Sequence, residues 1–202
     1  MTGNRSNIRC KQILVTARKL FWKHGLKRVT VEEICREAGV SKMTFYKFFP
    51  NKTELAKTVY NNEIEKGLAR FREIMHQPGN SPFEKMEKIL LMKLEGTNEI
   101  SREFMSDFYS DKQLGLASWV EKRSREVWKE LLSDFAEAQK KGWFRKDFKP
   151  EGMLILVTKM SEIVKDEQLL DLYDNPQEMI METARFFTYG IMPRESDNLF
   201  KR

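Results

Sequence analysis

The chain has 202 residues, of which 33% are charged and 41% hydrophobic, as expected for a soluble globular protein with one large domain or a small domain joined to a larger one. Its longest purely aliphatic run, residues 153–157, is far too short to cross a bilayer, and two cysteines without CxxC spacing argue against a disulfide framework or a Cys-based zinc site. The first ten residues contain no apolar signal-peptide core, so we expect a cytoplasmic protein.

The formal net charge of +6 is concentrated at the N-terminus. Residues 1–57 carry thirteen Lys or Arg and four acids, an excess of nine positive charges, whereas the remainder has an excess of three negative charges. This distribution indicates a local surface that binds a polyanion. A solvated, lysine-rich face is the alternative, and charge alone does not decide between them.

The first predicted element is an amphipathic helix that ends at Gly25. Its apolar stripe recurs at i, i+3, i+4 and i+7 and comprises Cys10, Ile13, Leu14, Ala17, Leu20, Phe21 and His24. Glycine after the last apolar residue is typical of a helix C-terminus.

Two short helices follow. Thr30 and Glu33 form a capping-box pattern that predicts the start of the first helix, and Gly39 predicts its end. Ser41 then has the character of an N-cap for the second helix. Two short helices joined by a glycine-containing turn make a helix-turn-helix.

The second of these helices separates aromatic bulk from positive charge. The predicted inward face contains Phe45, Phe48 and Phe49, which anchor a helix too short to be stable alone. The opposite face is predicted to be free and basic, and it contains Lys42, Met43, Tyr46 and Lys47.

The remaining sequence predicts helices alone, with no alternating strand pattern, internal repeat or low-complexity segment. The predicted ranges are 52–76, 82–95, 98–108, 112–141, 150–165 and 176–189. The expected fold class is therefore all-α.

The last two predicted helices are apolar around most of their circumference, which indicates burial on all sides. A second copy of the chain is the simplest partner for the outer face, so we predict a homodimer. The alternative is a helix central to its own domain. The predicted interface residues are Leu156, Met160, Ile180, Ala184 and Phe187.

Residues 30–55, TVEEICREAGVSKMTFYKFFPNKTEL, resemble the N-terminal signature of the tetracycline-repressor (TetR) family of bacterial transcription regulators. The match comprises the capped helix TVEEICREAGVS, the recognition helix SKMTFYKFF and the FPNKTEL entry to the next helix. The preceding ILVTARKLFWKHGLKRVT also fits, whereas Met43 stands where the family usually has a small residue or proline.

The resemblance implies an N-terminal three-helix helix-turn-helix DNA-binding domain, here residues 1–55. It also implies a C-terminal helical effector and dimerisation domain, here residues 56–202. A family member of this kind is a homodimer that binds double-stranded DNA, usually as a repressor, and is released by a small-molecule effector. It lies on the nucleoid when DNA-bound and needs no cofactor or metal.

Two modes of DNA contact are predicted. Lys42 and Met43, at the start of the recognition helix, are placed to reach base edges. Phosphate contacts are expected from residues at matching family positions or at helix starts, and the full predicted DNA-binding set is Thr30, Ser41, Lys42, Met43, Thr44, Tyr46, Lys47 and Lys52.

The effector of such a regulator is expected to be small and apolar, because the larger domain is rich in aromatic residues. The candidate pocket residues are Phe104, Phe108, Tyr109, Trp119 and Trp128, although ordinary core packing is the competing explanation for each.

Three other functions are the alternatives to a ligand-released repressor. An enzyme is disfavoured because the chain has no GxSxG, glycine-rich phosphate loop, HExxH or paired-carboxylate motif, and His24 and His76 are isolated. A membrane-surface helix is disfavoured because the positive charge falls on a helix-turn-helix. A DNA-bound adaptor that recruits a protein partner stays open as the alternative.

Overall fold

The computed structural model describes residues 2–163 and 166–193, with side chains described for 7–153, 155–159 and 166–193, and every regular element in these ranges is a helix. The predicted all-α fold class is confirmed. The α-helices are α1 (Thr2–Arg28), α2 (Val31–Ala38), α3 (Lys42–Phe48), α4 (Lys52–His76), α5 (Pro82–Gly96), α6 (Arg102–Met105), α7 (Leu116–Lys140), α8 (Pro150–Ile163), α9 (Glu167–Leu170) and α10 (Pro176–Ile191).

Side-chain caps start the helices where the sequence predicts them. Thr30 Oγ1 accepts a hydrogen bond from the Glu33 amide at 3.1 Å and begins α2. Ser41 Oγ accepts from the Thr44 amide at 3.1 Å and begins α3, and Asn51 Oδ1 accepts from the Glu54 amide at 2.9 Å before α4. Each cap pairs an amide that the helix itself leaves without a carbonyl partner.

Helix α1 is interrupted at Gly25, which has φ 73° and ψ 174°. The predicted end at this residue is therefore a break, after which helical backbone resumes to Arg28. A Cβ atom here would lie 2.6 Å from Asp107 Oδ2 and 2.9 Å from Glu103 Cβ. Both the positive φ and the close contact require glycine.

The chain forms two compact units. Among the described residues, the first unit contains 2–66 and Glu99–Val120, and the second contains Gly67–Asn98, 121–163 and 166–193. Helices α1 to α3 lie in the first unit. The predicted domain boundary after residue 55 stays a prediction.

Aromatic rings and a backbone contact join α1 to the 99–120 segment inside the first unit. The Trp22 and Phe104 ring centroids lie 4.4 Å apart, and Phe104 stacks on Phe108 at 4.4 Å. The Ser101 amide donates to the Trp22 carbonyl at 2.9 Å. The segment that follows α5 is therefore part of the support of the N-terminal helices.

The second unit is built around Phe135 of α7, whose ring lies 5.1 Å from that of Phe144 and 6.3 Å from that of Phe71. Helix α10 meets α5 through a hydrogen bond of 2.8 Å from Gln177 Nε2 to the Leu94 carbonyl. Two of these contacts, from Phe71 to Phe135 and from Gln177 to Leu94, connect segments more than sixty residues apart.

Two local details differ from the predicted ranges. The predicted helix 98–108 begins only at Arg102, and its α-helical part gives way to a π-helical turn, Ser106–Ser110. The short helix α9, capped by Asp166, was not predicted because four residues are too few to show a 3.6-residue period. The predicted end of α8 at residue 165 lies outside the described residues.

Candidate nucleic-acid interface

Helix α3 carries an exposed basic face and a buried aromatic one. Met43 is 71% exposed and Tyr46 54% exposed, and Lys42 and Lys47 are also exposed. Phe45, on the other side, has no accessible surface. The predicted division of the helix is therefore present, except that Phe48 is half-buried.

Phe45 anchors this short helix by its complete burial, and its ring lies 6.0 Å from that of Phe49, the C-cap, which is also buried. It also meets Tyr46 edge-on at 5.2 Å. At the other end, the Ser41 and Thr44 hydroxyls are 3.0 Å apart and hydrogen-bonded to each other. A helix of seven residues thus gains its order from one ring and one cap.

The ammonium of Lys42 forms an ion pair with the Glu32 carboxylate in the first turn of α2. Their hydrogen bond raises the pKa of Lys42 and lowers the pKa of Glu32. Both side chains stay more than half exposed. The predicted base-reading lysine is therefore already paired in the DNA-free protein.

Lys52 has a different environment from that expected of a phosphate ligand. Its Nζ donates to the Leu26 carbonyl at 2.7 Å and to the Val29 carbonyl at 2.6 Å, at the C-terminal end of α1. Burial lowers the pKa of this ammonium. The side chain is thus directed at backbone carbonyls, and the predicted contact of Lys52 with DNA stays a prediction.

Thr30 is exposed at the N-terminus of α2, while Thr44 is half-buried next to Ser41. The described structure accordingly gathers the predicted DNA-binding residues at the first turns of α2, α3 and α4 and on the outer face of α3. Glu32 is the neighbouring residue that sequence reasoning missed, although its place two residues after the Thr30 cap put it at the same helix terminus.

Four of the five predicted pocket residues lie in the first unit, and a role in effector binding stays a prediction for each of them. Phe104 and Phe108 are buried against each other, and the Tyr109 and Trp119 rings lie 6.3 and 5.9 Å from that of Tyr60, all within the first unit. A hydrogen bond of 2.9 Å joins the Tyr109 and Tyr60 hydroxyls. These four residues have the contacts of a packed aromatic core.

Trp128 belongs to the second unit, where it lines a small apolar cavity. The cavity has a volume of about 10 Å³, and its lining comprises Trp128, Leu132, Phe135, Pro150 and Met153. That volume is room for about one water molecule.

The residues predicted to form the dimer interface differ in their exposure to solvent. Leu156 is 57% exposed, Ile180 and Ala184 are half-buried, and the Met160 side chain lies outside the described residues. Phe187 contacts its own chain, since its ring lies 5.9 Å from that of Trp128. Among the described side chains of α8 and α10, the exposed large apolar ones are Leu156 itself, Ile155, Phe186 and Tyr189.

Within the described ranges, no helix combines the length and apolarity needed to span a membrane. The same residues contain no group of three or more His, Cys, Asp or Glu placed to hold a metal ion.

Sequence comparison identifies relatives with a DNA-binding function. Residues 13–59 match the family described as bacterial regulatory proteins, tetR family. The HTH-type transcriptional repressor KstR2 of Mycobacterium tuberculosis is 26% identical over 149 residues, which is 70% of this chain and 72% of that protein. The HTH-type transcriptional regulator UidR of Escherichia coli is 34% identical over 62 residues, or 31% of this chain and 32% of that protein.

Solved structures share the fold. The fatty acid degradation regulator FadR of Bacillus halodurans superposes with a TM-score of 0.60 at 18% identity, covering 92% of this chain and 97% of that one. GusR of Salmonella enterica gives 0.64 at 20% identity and covers 91% and 95%. At these identities the similarity establishes architecture alone.

Proposed function

We propose that the chain, whose residues 13–59 match the tetR family of bacterial regulatory proteins, is a transcriptional repressor that binds an inverted-repeat operator as a homodimer and is released by a small apolar effector. Like its relatives, it is a DNA-binding regulator and not an enzyme. The observation that carries the proposal is the outer face of α3, where Lys42, Met43, Tyr46 and Lys47 are all exposed.

Helix α3 has seven residues and is about 10 Å long, comparable to the width of the DNA major groove. We assign base-edge contacts to its first residues, with Lys42 donating to guanine O6 or N7 and Met43 contacting a thymine methyl. Thr44, Tyr46 and Lys47 are assigned to phosphates, which position the protein without reading sequence.

The first turns of α2 and α4 complete the proposed phosphate contacts. Thr30 and Ser41 lie at helix N-termini, where free amides and the helix dipole favour an anion. Because the Lys52 ammonium is bonded to carbonyls of α1, we assign its phosphate contact to its backbone amide at the start of α4.

We propose that α8 and α10 form the dimer interface through their exposed apolar residues, Ile155, Leu156, Phe186 and Tyr189. Ile180 and Ala184 are the half-buried neighbours assigned to its margin. A two-fold dimer with recognition helices one DNA turn apart, about 34–36 Å, requires an inverted-repeat operator.

The effector site is proposed at the cavity beside Trp128 in the second unit. Its lining is apolar, but a drug-sized pocket needs at least about 300 Å³, so side chains must move to admit a ligand. An effector that prefers the opened state weakens DNA binding by its difference in affinity for the two states. The adaptor alternative gains no support from relatives named as repressors.

Selection of DNA from a randomised duplex pool by the purified full-length protein tests the DNA-binding proposal. We expect enrichment of one inverted repeat with half-site centres one helical turn apart. Enrichment of a single, unrepeated half-site would contradict the dimeric arrangement, and no enrichment would contradict a sequence-specific regulator.

The effector proposal is tested by screening apolar compounds for a raised melting temperature and for release of the selected DNA. Leu132→Trp fills the cavity, and we expect it to abolish release by any active compound while leaving DNA binding intact. An exposed residue of the same unit, Phe83, supplies the control substitution Phe83→Trp. Equal release in the two variants would place the effector elsewhere.

A further inference from the structure

The ion pair between Glu32 and Lys42 joins the first turn of α2 to the first residue of α3. Glu32 is 59% and Lys42 55% exposed in their side chains, and exposed Tyr46 follows Lys42 by one turn on the same side of α3. The pair therefore belongs to the face assigned to DNA and not to the core.

We propose that Glu32 determines operator specificity by positioning the Lys42 ammonium toward a base edge and away from the DNA phosphates. This inference rests on the proposed function, because it assigns a role within the same DNA-binding surface. Glu32 acts through Lys42 and is a positioning residue, whereas Lys42 makes the base contact.

The chemistry of lysine explains why such a partner is needed. Its ammonium is a point charge on a flexible four-carbon stem, and phosphates outnumber any single guanine within its reach. A lysine without a partner at the start of α3 therefore adds affinity for every sequence. A carboxylate at hydrogen-bond distance restricts the stem and neutralises the net charge, which reduces the attraction to phosphate.

Glu32 lowers the overall affinity for DNA, which also indicates a role in distinguishing one DNA sequence from another. A carboxylate on a DNA-binding face is repelled by phosphates and lowers affinity for all sequences. Residues 1–57 contain only four acids, of which Glu54 pairs with Lys57 at 2.8 Å on α4. Glu32 instead contacts the recognition helix. There its charge lowers the affinity for all DNA, but it lowers the affinity for incorrect sequences more, so specificity increases.

The pair between Glu32 and Lys42 is not needed to stabilise the fold. Exposed ion pairs contribute little to folding stability, and the start of α3 is already fixed by Ser41 and by the buried Phe45. Glu32→Gln should therefore leave the melting temperature nearly unchanged. The diagnostic quantity is sequence preference, which a purely structural contact would not alter.

The experiment compares the full-length wild type with Glu32→Gln, Lys42→Ala, the double variant and the control Glu37→Gln. Glu37 is an exposed acid on the same helix, so its variant makes the same change of charge. Each protein selects DNA from a randomised pool, and competition binding then measures the preference at every operator position.

We expect Glu32→Gln to bind scrambled DNA more tightly and to lose at least about fivefold preference at one base pair per half-site, the lower end of what one good base contact supplies. The same position should relax in Lys42→Ala, with no further loss in the double variant. Glu37→Gln should keep the wild-type preference at that base pair.

Unchanged preference in Glu32→Gln, or equal changes in Glu32→Gln and Glu37→Gln, would overturn the inference while leaving the proposed function intact. Absence of any preferred sequence for the wild-type protein would overturn the proposed function itself, and the inference with it.

Discussion

Lys52 and Lys85 each stabilise the C-terminal end of a helix in the unit to which they belong. Lys52 Nζ donates to the Leu26 and Val29 carbonyls beside the end of α1. Lys85, only 1% exposed, donates to the Ile74 and Met75 carbonyls at 3.0 Å each, near the end of α4. Carbonyls at a helix C-terminus lack amide partners, and a cation there also offsets the negative end of the helix dipole.

Lys52→Met is expected to lower the free energy of unfolding by about 1–3 kcal/mol, because buried carbonyls lose a charged donor. The comparison substitution Lys47→Ala, on the exposed face of α3, should leave the melting temperature unchanged. It should weaken binding to all DNA sequences alike and reduce the slope of log affinity against log salt concentration by about one. Thermal denaturation and salt-dependent anisotropy measure the two effects. A stable Lys52→Met protein with a reduced salt slope would make Lys52 Nζ a phosphate ligand instead.

Gly25 and Gly39 have similar φ values of 73° and 65° but different surroundings. Nothing lies within 4 Å of a Cβ built on Gly39, whereas one on Gly25 would meet Asp107 Oδ2 at 2.6 Å. Gly39→Ala should cost about 1 kcal/mol of stability from backbone strain alone. Gly25→Ala should cost about 1–3 kcal/mol more, because packing must also shift. Equal losses on chemical denaturation would contradict the close packing at Gly25.

Segment 99–120 shows how one element supports another. Asp107, buried in the π-helical turn, accepts a hydrogen bond from the Lys27 amide at 2.8 Å. The Lys27 ammonium pairs with Asp111, just after that turn. Together with the Trp22 and Phe104 rings, these contacts hold the end of α1 in place. The position of the helix-turn-helix thus depends on residues some eighty positions away.

The Lys27–Asp111 pair predicts an acid-sensitive component of stability. The hydrogen bond from Lys27 lowers the pKa of Asp111 below its ordinary value of 3.8. The pair therefore stabilises the fold at pH values above that ordinary value and loses its contribution as the pH falls below it. Asp111→Asn keeps an oxygen for the Gln113 and Leu114 amides but removes the charge. Between pH 5 and pH values below 3.8, the melting temperature of this variant should fall less than that of the wild type. An equal fall in the two proteins would contradict the assignment.

The elements that sequence could predict are those with local signals. Thr30, Ser41 and Asn51 mark helix starts because a cap is a contact between residues three apart. The inward turn of Lys52 could not be predicted, since its acceptors lie more than twenty residues earlier. The sequence also could not show that Phe186 is the more exposed of the two neighbouring phenylalanines of α10, because a helix that is apolar on most sides does not reveal which side faces outward.

The excess positive charge and the exposed apolar residues of α8 and α10 lie in different parts of the chain. The positive excess lies in residues 1–57, around α1 to α3, and the exposed apolar residues of α8 and α10 lie in the second unit. The proposed DNA-binding surface and the proposed dimer interface therefore fall in different segments of the chain, as a dimeric regulator requires.

Phe186→Glu is expected to convert the dimer to a monomer, because a charge in an apolar interface is left unpaired. Phe186 is 72% exposed, so the folded monomer should tolerate the change. Phe83→Glu, at an exposed aromatic residue of α5, is the control and should remain dimeric. Sedimentation velocity measures both masses. Dimers of both variants would exclude α10 as the interface.

Sequence-specific DNA binding is measured by fluorescence anisotropy across a salt series, with DNA from upstream of the protein's own gene and its neighbours compared with scrambled DNA. We expect saturable binding to one inverted repeat, at least about a thousandfold tighter than to scrambled DNA at physiological salt. Weak, steeply salt-dependent binding that is equal for every duplex would contradict this expectation, because such binding reflects phosphate attraction without base reading.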